Sequence, residues 1–313
     1  MNTFIFDPLT GEPTIIATNR AKRVDQTGAV SSIQNAKPSD SEPEKPKKRT
    51  DYFAKGNEHL TPPTLYQDED DWNVRVFKNK FPLLEDHEIV VHSPFEDKDI
   101  EDLPIEQTVR IIRAYLNRVA YYNAKDKEVF IFNNRGGKAG ASIEHPHSQI
   151  LAAKGFPGTM EREKSAALHY FNEFGRSYWS DEMQKELGYG KRVIHESAHF
   201  VLYVPYVSRW SYEMRLVPKE HRPNILYITE PEIQDFARIL KGALVAYNQL
   251  FDRPDRNFWI HNLRYEPYHW HVGFLPHIKV FGALEMGAGI WVSDKATSED
   301  AAADLRQHFK CED

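Results

Sequence analysis

The chain has 313 residues, 41% of them hydrophobic and 27% charged, which is the composition of a globular protein. Its formal net charge of −6 argues against a nucleic-acid surface, because phosphate backbones are bound by a basic excess. No apolar run is long enough to cross a bilayer, and the single cysteine, Cys311, excludes a disulfide within the chain. We therefore expect a cytoplasmic protein that binds neither nucleic acid nor membrane.

The first half of the chain begins with a polar stretch and continues with strands and a long helix. Residues 24–50 are rich in Ser, Pro, Lys and Glu and have almost no large apolar residue, which predicts a flexible loop. Apolar runs with strand character follow at residues 72–77, 87–92 and 129–133. Between the last two, apolar residues at helical spacing predict a helix over residues 105–123.

The second half of the chain repeats this plan. Strands are predicted at residues 199–204 and 210–217, and a long amphipathic helix is predicted over residues 230–251. Two further strands, at residues 258–261 and 269–275, carry histidines. The repeated order of two strands, a long helix and a strand pair indicates an internal duplication of architecture.

These elements predict an α+β fold in which long helices pack against an antiparallel sheet. We place the N-terminal half at residues 1–185 and the C-terminal half at residues 186–313. The N-terminal half contains the most informative stretch of the sequence, residues 134–149 (NRGGKAGASIEHPHSQ).

Residues 134–149 combine a glycine-containing turn with two closely spaced histidines. Glycines let backbone N–H groups approach an anion closely, which suits a phosphate. His145 and His147 are two residues apart and point to one face of a strand, and Gln149 shares that face. A neutral imidazole is a competent nucleophile towards phosphorus, but two such histidines on a strand are also typical of a metal site. The residue pattern leaves both interpretations open.

The same stretch resembles the active-site signature of the galactose-1-phosphate uridylyltransferase branch of the histidine-triad superfamily. That signature is a His-Pro-His-x-Gln core preceded by a turn rich in Gly, Ala and Ser. Other parts of the chain resemble further signatures of the family in the family's order: residues 7–11, 19–23, 56–63, 76–82, 285–290 and 299–302. The resemblance implies two histidine-triad-like halves.

The resemblance implies that His147 attacks the α-phosphorus of a nucleotide sugar, releases a sugar 1-phosphate, and passes the nucleotidyl group to a second phosphate. Gln149 and Ser142 match positions that act on the transferred phosphate. The implied substrate-binding positions are Arg20, Arg23, Asn79, Phe81, Asn134, Ser148, Lys279 and Glu285. A core position is the alternative for Phe81, and a solvated surface pair is the alternative for Lys279 and Glu285. The chemistry itself requires no cofactor, and the resemblance also implies a homodimer.

Many members of the family hold a structural zinc, and this chain departs from its ligand pattern. The two cysteine positions are occupied here by Asp51 and Ala54, and the third ligand position by Glu96. His145 matches the fourth ligand. Two carboxylates and one imidazole are a poorer zinc set than thiolates, so we expect this metal to be lost and His145 to hydrogen-bond within the strand layer.

A second metal site of the family has three matching positions, Glu163, His261 and His271. The fourth position is Gly273, which has no side chain to ligate a metal, and His269 is a candidate replacement. The resemblance therefore implies a structural iron or zinc here. The alternative is a strand with buried aromatic residues and no metal.

Three functions remain open at this stage. The first is a hexose-1-phosphate uridylyltransferase that uses UDP-glucose. The second is a phosphorylase of ADP-glucose or of a dinucleoside polyphosphate, with inorganic phosphate as the attacking group. The third is a non-catalytic nucleotide-binding or metal-binding relative. Beside these three stands a hydrolase, in which water is the acceptor. Leu284 and Trp291 replace residues that would hydrogen-bond a sugar, so the acceptor need not be galactose 1-phosphate.

Overall fold

A computed structural model describes residues 2–27 and 50–311 of the chain. Its strands are β1 Phe4–Phe6, β2 Pro13–Ile15, β3 Thr64–Gln67, β4 Arg75–Lys78, β5 Asp86–Val91, β6 Glu128–Arg135, β7 His147–Ala153, β8 Val193–Glu196, β9 Phe200–Tyr203, β10 Met214–Pro218, β11 Arg256–His261 and β12 His271–Pro276. Its α-helices are α1 Ile105–Asn123, α2 Thr159–Phe174, α3 Tyr178–Tyr189, α4 Glu230–Phe251, α5 Ala283–Ala288 and α6 Ser298–His308. Residues 28–49, most of the predicted flexible loop, lie outside the described part of the chain.

The two long helices coincide with the predicted ranges. Helix α4 begins at a capping box, in which Thr229 and Glu232 satisfy each other's free backbone N–H groups. It ends at Asp252, whose backbone is left-handed with φ of 52°. Helix α1 follows Pro104, which leaves no unsatisfied N–H at the position before the helix.

Two predicted strands begin later than expected because turns precede them. The backbone N–H groups of Asn73 and Val74 both donate to the Asp68 carboxylate, so strand β4 starts only at Arg75. The stretch before β10 turns at Tyr212, which has φ of 61°. Local side-chain and backbone geometry therefore shortens both strands at their N-terminal ends.

Ten strands form one antiparallel sheet in the order β3-β4-β5-β7-β6-β11-β12-β10-β9-β8. The first five come from the N-terminal half and the last five from the C-terminal half, in mirrored order. The halves meet where β6 pairs with β11, with Ile131 opposite Ile260. The predicted α+β class, with an antiparallel sheet and long helices against it, is confirmed. The boundary at residues 185 and 186 stays a prediction.

Helices cover both faces of the sheet. On one face α1 and α4 pack against strand residues such as Ile150, and on the other α2 and α3 pack against residues such as Leu151. Because side chains alternate along a strand, His147 and Gln149 lie on the Leu151 face and Ser148 on the Ile150 face. Within the described residues, no helix combines the length and the apolar character needed to span a membrane.

Candidate active site

A cavity of about 420 Å³ opens at the beginning of β7. The residues that line it include eight singled out in the sequence: Arg20, Arg23, Asn79, Phe81, Asn134, Ser142, His147 and Gln149. Its apolar wall includes Phe53, Phe77, Ile89 and Phe132. A site with apolar walls and a few convergent polar groups is the usual form of a small-molecule pocket.

His147 lies in the wall of this cavity with one ring nitrogen already engaged. Its Nδ1 atom is 2.8 Å from the carbonyl oxygen of His145. A carbonyl oxygen can only accept, so Nδ1 carries the proton and Nε2 carries the lone pair. The Phe53 ring packs edge-on against the imidazole, with ring centroids 5.2 Å apart. The ring is thereby oriented with Nε2 as its nucleophilic atom.

Burial lowers the pKa of His147 to about 4. The imidazole is therefore neutral throughout the physiological range. A neutral imidazole can attack phosphorus without first losing a proton, which is the state that covalent catalysis requires.

Gln149 lines the cavity two residues beyond His147, and His87 hydrogen-bonds to its side-chain amide oxygen. The Nε2 atom of His87 lies 2.9 Å from Gln149 Oε1, and its Nδ1 accepts a hydrogen bond of 3.0 Å from the Leu83 N–H. His87 is fully buried. The sequence predicted His87 only as part of a strand, because nothing near it in the chain indicates a contact with Gln149.

Asn134 has a comparable partner in the C-terminal half of the chain. The Nδ2 atom of Asn257 lies 2.8 Å from Asn134 Oδ1 and 3.0 Å from the Ala139 carbonyl oxygen. Asn257 sits near the start of β11, at the seam between the two halves. It was also missed in the sequence, because nothing near it in the chain resembles a site motif.

Two guanidinium groups supply positive charge at the mouth of the site. Arg20 donates a hydrogen bond of 2.8 Å to the Phe81 carbonyl oxygen. Burial and the neighbouring Arg23 lower the pKa of Arg20 to about 10, so Arg20 remains protonated at neutral pH. Asn79 is fixed beside them, since its Oδ1 accepts the Phe81 N–H at 2.8 Å. The arrangement suits a phosphate-containing ligand.

The glycine turn that leads to β7 is pinned by Asp255. The backbone N–H of Lys138 donates to Asp255 Oδ2 at 2.6 Å. Gly136 has φ of 83°, and a Cβ at that position would lie 2.1 Å from Asp255 Oδ1. Glycine is therefore required there for both backbone conformation and space.

Ser148 does not face the cavity, contrary to the expectation that it binds substrate. Its hydroxyl is fully buried on the opposite face of β7, 2.8 Å from His92 Nε2 and 2.6 Å from the Tyr115 hydroxyl. The physical reason is strand alternation, which sends its side chain away from those of His147 and Gln149. The Ser148 side chain therefore contacts His92 and Tyr115 on the face of the sheet opposite to the cavity.

Lys279 and Glu285 also lie apart from the residues that line the cavity. Their charged groups are 3.3 Å apart, and the Lys279 ammonium is 3.1 Å from Asp294. The two groups are ion-paired as the alternative expected, but Glu285 is buried and Lys279 is half-buried, so they are not a solvated surface pair. Their role in substrate binding stays a prediction.

The residues at the first metal position are arranged as a hydrogen-bonded group. His145 Nδ1 lies 2.8 Å from Asp51 Oδ2, and His145 Nε2 lies 2.8 Å from the Ser93 carbonyl oxygen. Both ring nitrogens therefore have protein partners, Glu96 is exposed, and Ala54 offers no ligand atom. Whether a metal binds here stays a prediction.

Glu163, His261 and His271 are brought together as the second metal position requires. One ligand atom from each lies within 4.8 Å of the others, and Glu163 Oε2 is 2.8 Å from His261 Nδ1. Burial alone would raise the pKa of the Glu163 carboxyl, but His261, together with His271 and the Tyr268 hydroxyl, outweighs burial and holds that pKa well below its usual range. A partly buried carboxylate and two buried imidazoles fit zinc or iron.

The fourth position of this group is not replaced by His269, as had been suggested. The His269 ring packs on His221, with centroids 5.1 Å apart, and does not join the three ligands. At Gly273 a Cβ would lie 2.6 Å from the Trp259 ring. The indole therefore takes the space in which a fourth ligand side chain would begin.

Comparisons with known proteins find relatives that match most of this chain. Among proteins of known function, the chain is 26% identical to ADP-glucose phosphorylase from Arabidopsis thaliana, over 96% of this chain and 91% of that protein. It is 28% identical to galactose-1-phosphate uridylyltransferase from Thermotoga maritima, over 70% and 73%. The crystal structure of the Arabidopsis ADP-glucose phosphorylase with bound ADP-glucose has the same fold, with a TM-score of 0.76, 24% identity, and coverage of 98% and 99%.

The family models cover most of the chain. Residues 85–157 match the N-terminal domain of galactose-1-phosphate uridyl transferase, and residues 163–312 match its C-terminal domain. Together the two matches include the nucleophile candidate His147 and the three ligands of the second metal position. The chain belongs to the galactose-1-phosphate uridyl transferase family.

Proposed function

We propose that this protein is a nucleotidyltransferase that carries a nucleoside monophosphate on His147. The observation that supports this most directly is the neutral imidazole in the cavity wall, with Nδ1 bonded to a carbonyl oxygen. The Nε2 lone pair attacks the α-phosphorus of a nucleotide sugar, and the bond to the sugar phosphate oxygen breaks. The sugar 1-phosphate leaves with the electron pair. A second phosphate then attacks the same phosphorus and restores neutral His147.

The residues around His147 stabilise the charge that builds on the transferred phosphate. The amides of Gln149 and Asn134 face the cavity, and Arg20 and Arg23 add positive charge. Donors that are fixed before the reaction begins stabilise a phosphoryl transition state without reorganisation. These four side chains are therefore expected to act mainly on the rate of transfer.

The uridylyltransferase type, with UDP-glucose as donor and a hexose 1-phosphate as acceptor, is the first candidate reaction. A second candidate is phosphorolysis of ADP-glucose by inorganic phosphate. It is favoured by one observation, the near end-to-end match to a plant ADP-glucose phosphorylase. Both reactions use the same covalent step and differ in the base and the acceptor.

A structural metal accompanies this proposal. Glu163, His261 and His271 would hold zinc or iron between helix α2 and strands β11 and β12. A metal there would supply a fixed link between elements of the two halves. No step of the transfer to His147 passes through it. A homodimer is likewise part of the proposal, and light scattering of the purified protein tests it.

Product analysis separates the candidate reactions. The protein is incubated with UDP-glucose or ADP-glucose, each with galactose 1-phosphate or inorganic phosphate. UDP-galactose from the first pair supports the uridylyltransferase, and ADP with glucose 1-phosphate from ADP-glucose and phosphate supports the phosphorylase. The His147→Asn protein is the matched control. No product from any combination would contradict the proposal and favour a non-catalytic binding protein.

A further inference from the structure

Two side-chain amides, those of Gln149 and Asn134, face the cavity beside His147. An amide donates through its NH2 group and accepts through its oxygen, so its orientation decides whether it stabilises or repels a phosphate oxygen. In both cases the oxygen is bonded to a donor behind the cavity wall. That donor is His87 for Gln149 and Asn257 for Asn134.

The main chain fixes the role of each His87 nitrogen. The Leu83 N–H donates to Nδ1, so Nδ1 holds the lone pair and Nε2 carries the proton that is donated to Gln149 Oε1. Burial lowers the pKa of His87 to about 3, which keeps the ring neutral. Asn79 Nδ2 lies 3.3 Å from the same Nε2, and because both groups are donors in this tautomer they do not hydrogen-bond to each other. Turning the Gln149 amide over would also set two donors against each other.

Asn257 fixes the orientation of Asn134 by the same logic. A backbone carbonyl oxygen only accepts, so the Asn257 atom 3.0 Å from the Ala139 oxygen is its NH2 nitrogen. The same NH2 group also donates to Asn134 Oδ1 at 2.8 Å, a shorter contact than the 3.3 Å to its third acceptor, the Asn133 carbonyl oxygen. The Oδ1 of Asn257 faces His277 Nε2 at 2.5 Å. The Nδ2 atom of Asn134 is thereby turned towards Gly140, which belongs to the cavity wall.

We propose that His87 and Asn257 are positioning residues that hold the NH2 groups of Gln149 and Asn134 towards the phosphate transferred to His147. This inference rests on the proposed function. With the NH2 groups inward, each amide donates to a non-bridging oxygen as negative charge builds there. With the oxygen inward, its lone pairs would oppose that charge. The positioning residues therefore control the sign of the interaction, although neither of them lines the cavity.

Two substitutions separate the functions of the two His87 nitrogens. In His87→Asn the asparagine oxygen can take the place of Nδ1 and keep the Leu83 bond, but no group reaches Gln149. In His87→Gln the glutamine NH2 can take the place of Nε2 and keep the bond to Gln149. We expect His87→Asn to slow covalent loading of His147 at saturating nucleotide sugar by roughly 10²-fold, the order found when one fixed donor is lost. His87→Gln should restore most of that rate.

A double-mutant cycle distinguishes positioning from a general structural effect. If His87 acts through Gln149, His87→Asn should not slow loading further in a Gln149→Ala background. If His87 only supports the fold, the two losses should multiply. The dissociation constant of the nucleotide sugar, measured in parallel, should change little, because the amides act mainly on the transition state.

The experiment measures loading by intact-protein mass after rapid quenching, with the full-length wild type in every series. Suppose the wild type loads. If His87→Asn then loads at the normal rate, or if the losses in the cycle multiply, the positioning role is wrong and the proposed function still stands. Absence of loading in the wild type would overturn the proposed function itself. If His87→Asn does not fold, Asn257→Asp tests the same inference, since its carboxylate would turn the Asn134 amide over and should slow loading by a similar factor.

Discussion

His147 and His271 hold equivalent places in the two halves of the sheet. In each case the ring Nδ1 atom faces the backbone carbonyl oxygen of the residue two positions earlier. The distance is 2.8 Å from His147 Nδ1 to the His145 oxygen and 3.1 Å from His271 Nδ1 to the His269 oxygen. Their strands differ at the next position on the same face, where Gln149 is replaced by Gly273. The equivalent histidines therefore sit in different surroundings, one in an open cavity and one in a candidate metal group.

The difference between the two sites can be traced to the paired strands. Gln149 lies opposite Phe132, whereas Gly273 lies opposite Trp259, whose indole fills the space above the glycine. His271 is instead approached by His261 and by Glu163, which comes from helix α2 of the N-terminal half. We infer that only the N-terminal histidine has room for a nucleotide.

Loading of His147 should depend on pH in a way that reflects its burial. Burial lowers the pKa of His147 to about 4, so the nucleophile stays deprotonated well below neutrality. We predict that kcat/KM for nucleotide transfer is flat from about pH 8 to about pH 5 and falls about tenfold per pH unit below about pH 4. A rate profile over this range checks it. A fall centred near pH 6.5, the ordinary imidazole value, would contradict the assigned environment.

Acid should also destabilise the fold through its buried histidines. The pKa values of His87 and His147 are lowered by burial to about 3 and about 4, so the unfolded chain binds protons at these groups that the folded chain does not. Stability is therefore lost as pH falls below about 6.5, by up to about 1.4 kcal/mol per pH unit for each histidine. Urea unfolding between pH 7 and pH 4.5 measures this slope. His147→Asn should reduce it by about one proton, and an unchanged slope would count against a buried neutral His147.

The two metal positions should behave differently on substitution. Glu163→Ala removes a ligand from the group with His261 and His271, so we predict that bound zinc or iron is lost and the melting temperature falls. Asp51→Ala should leave the metal content unchanged, because both nitrogens of His145 already have protein partners. Elemental analysis of the purified proteins provides the measurement. Zinc that disappears in Asp51→Ala would show that the first position is occupied.

The glycine turn provides a prediction with an internal control. Gly136→Ala places a Cβ against the Asp255 carboxylate at a residue with φ of 83°, so we expect a loss of at least about 1 kcal/mol in unfolding free energy and slower loading of His147. Gly155→Ala meets no atom within 4 Å and should be nearly neutral. Denaturant unfolding and loading rates of both variants test this. Equal behaviour of the two would contradict the pinned turn.

The sequence predicted those parts of the molecule whose signal is local. The spacing of apolar residues in 105–123 and 230–251 predicted the two long helices, because each helix buries one face against the sheet. The cavity around His147 was anticipated because its motif is contiguous and because separate signatures matched one family. Helices α2 and α3 were not predicted, since both are predominantly polar and only a few of their residues are buried.

The features that escaped prediction depend on contacts between distant residues. His87 meets Gln149 across 62 positions of the chain, and Asn257 meets Asn134 across 123. Neither pairing has a local pattern, because it arises only when strands come together. The direction of Ser148 was a different case. Strand alternation places the Ser148 side chain on the face opposite to His147, so this direction does follow from the sequence.

The most direct test of the account is the intact mass of the protein after brief incubation with UDP-glucose and, separately, with ADP-glucose. We predict an increment of one nucleoside monophosphate on the wild type with at least one donor, which also identifies the base. The increment should be absent in His147→Asn and present in His271→Asn, the equivalent substitution in the other half. An adduct that persists in His147→Asn, or that disappears only in His271→Asn, would contradict the assignment of His147 as the nucleophile.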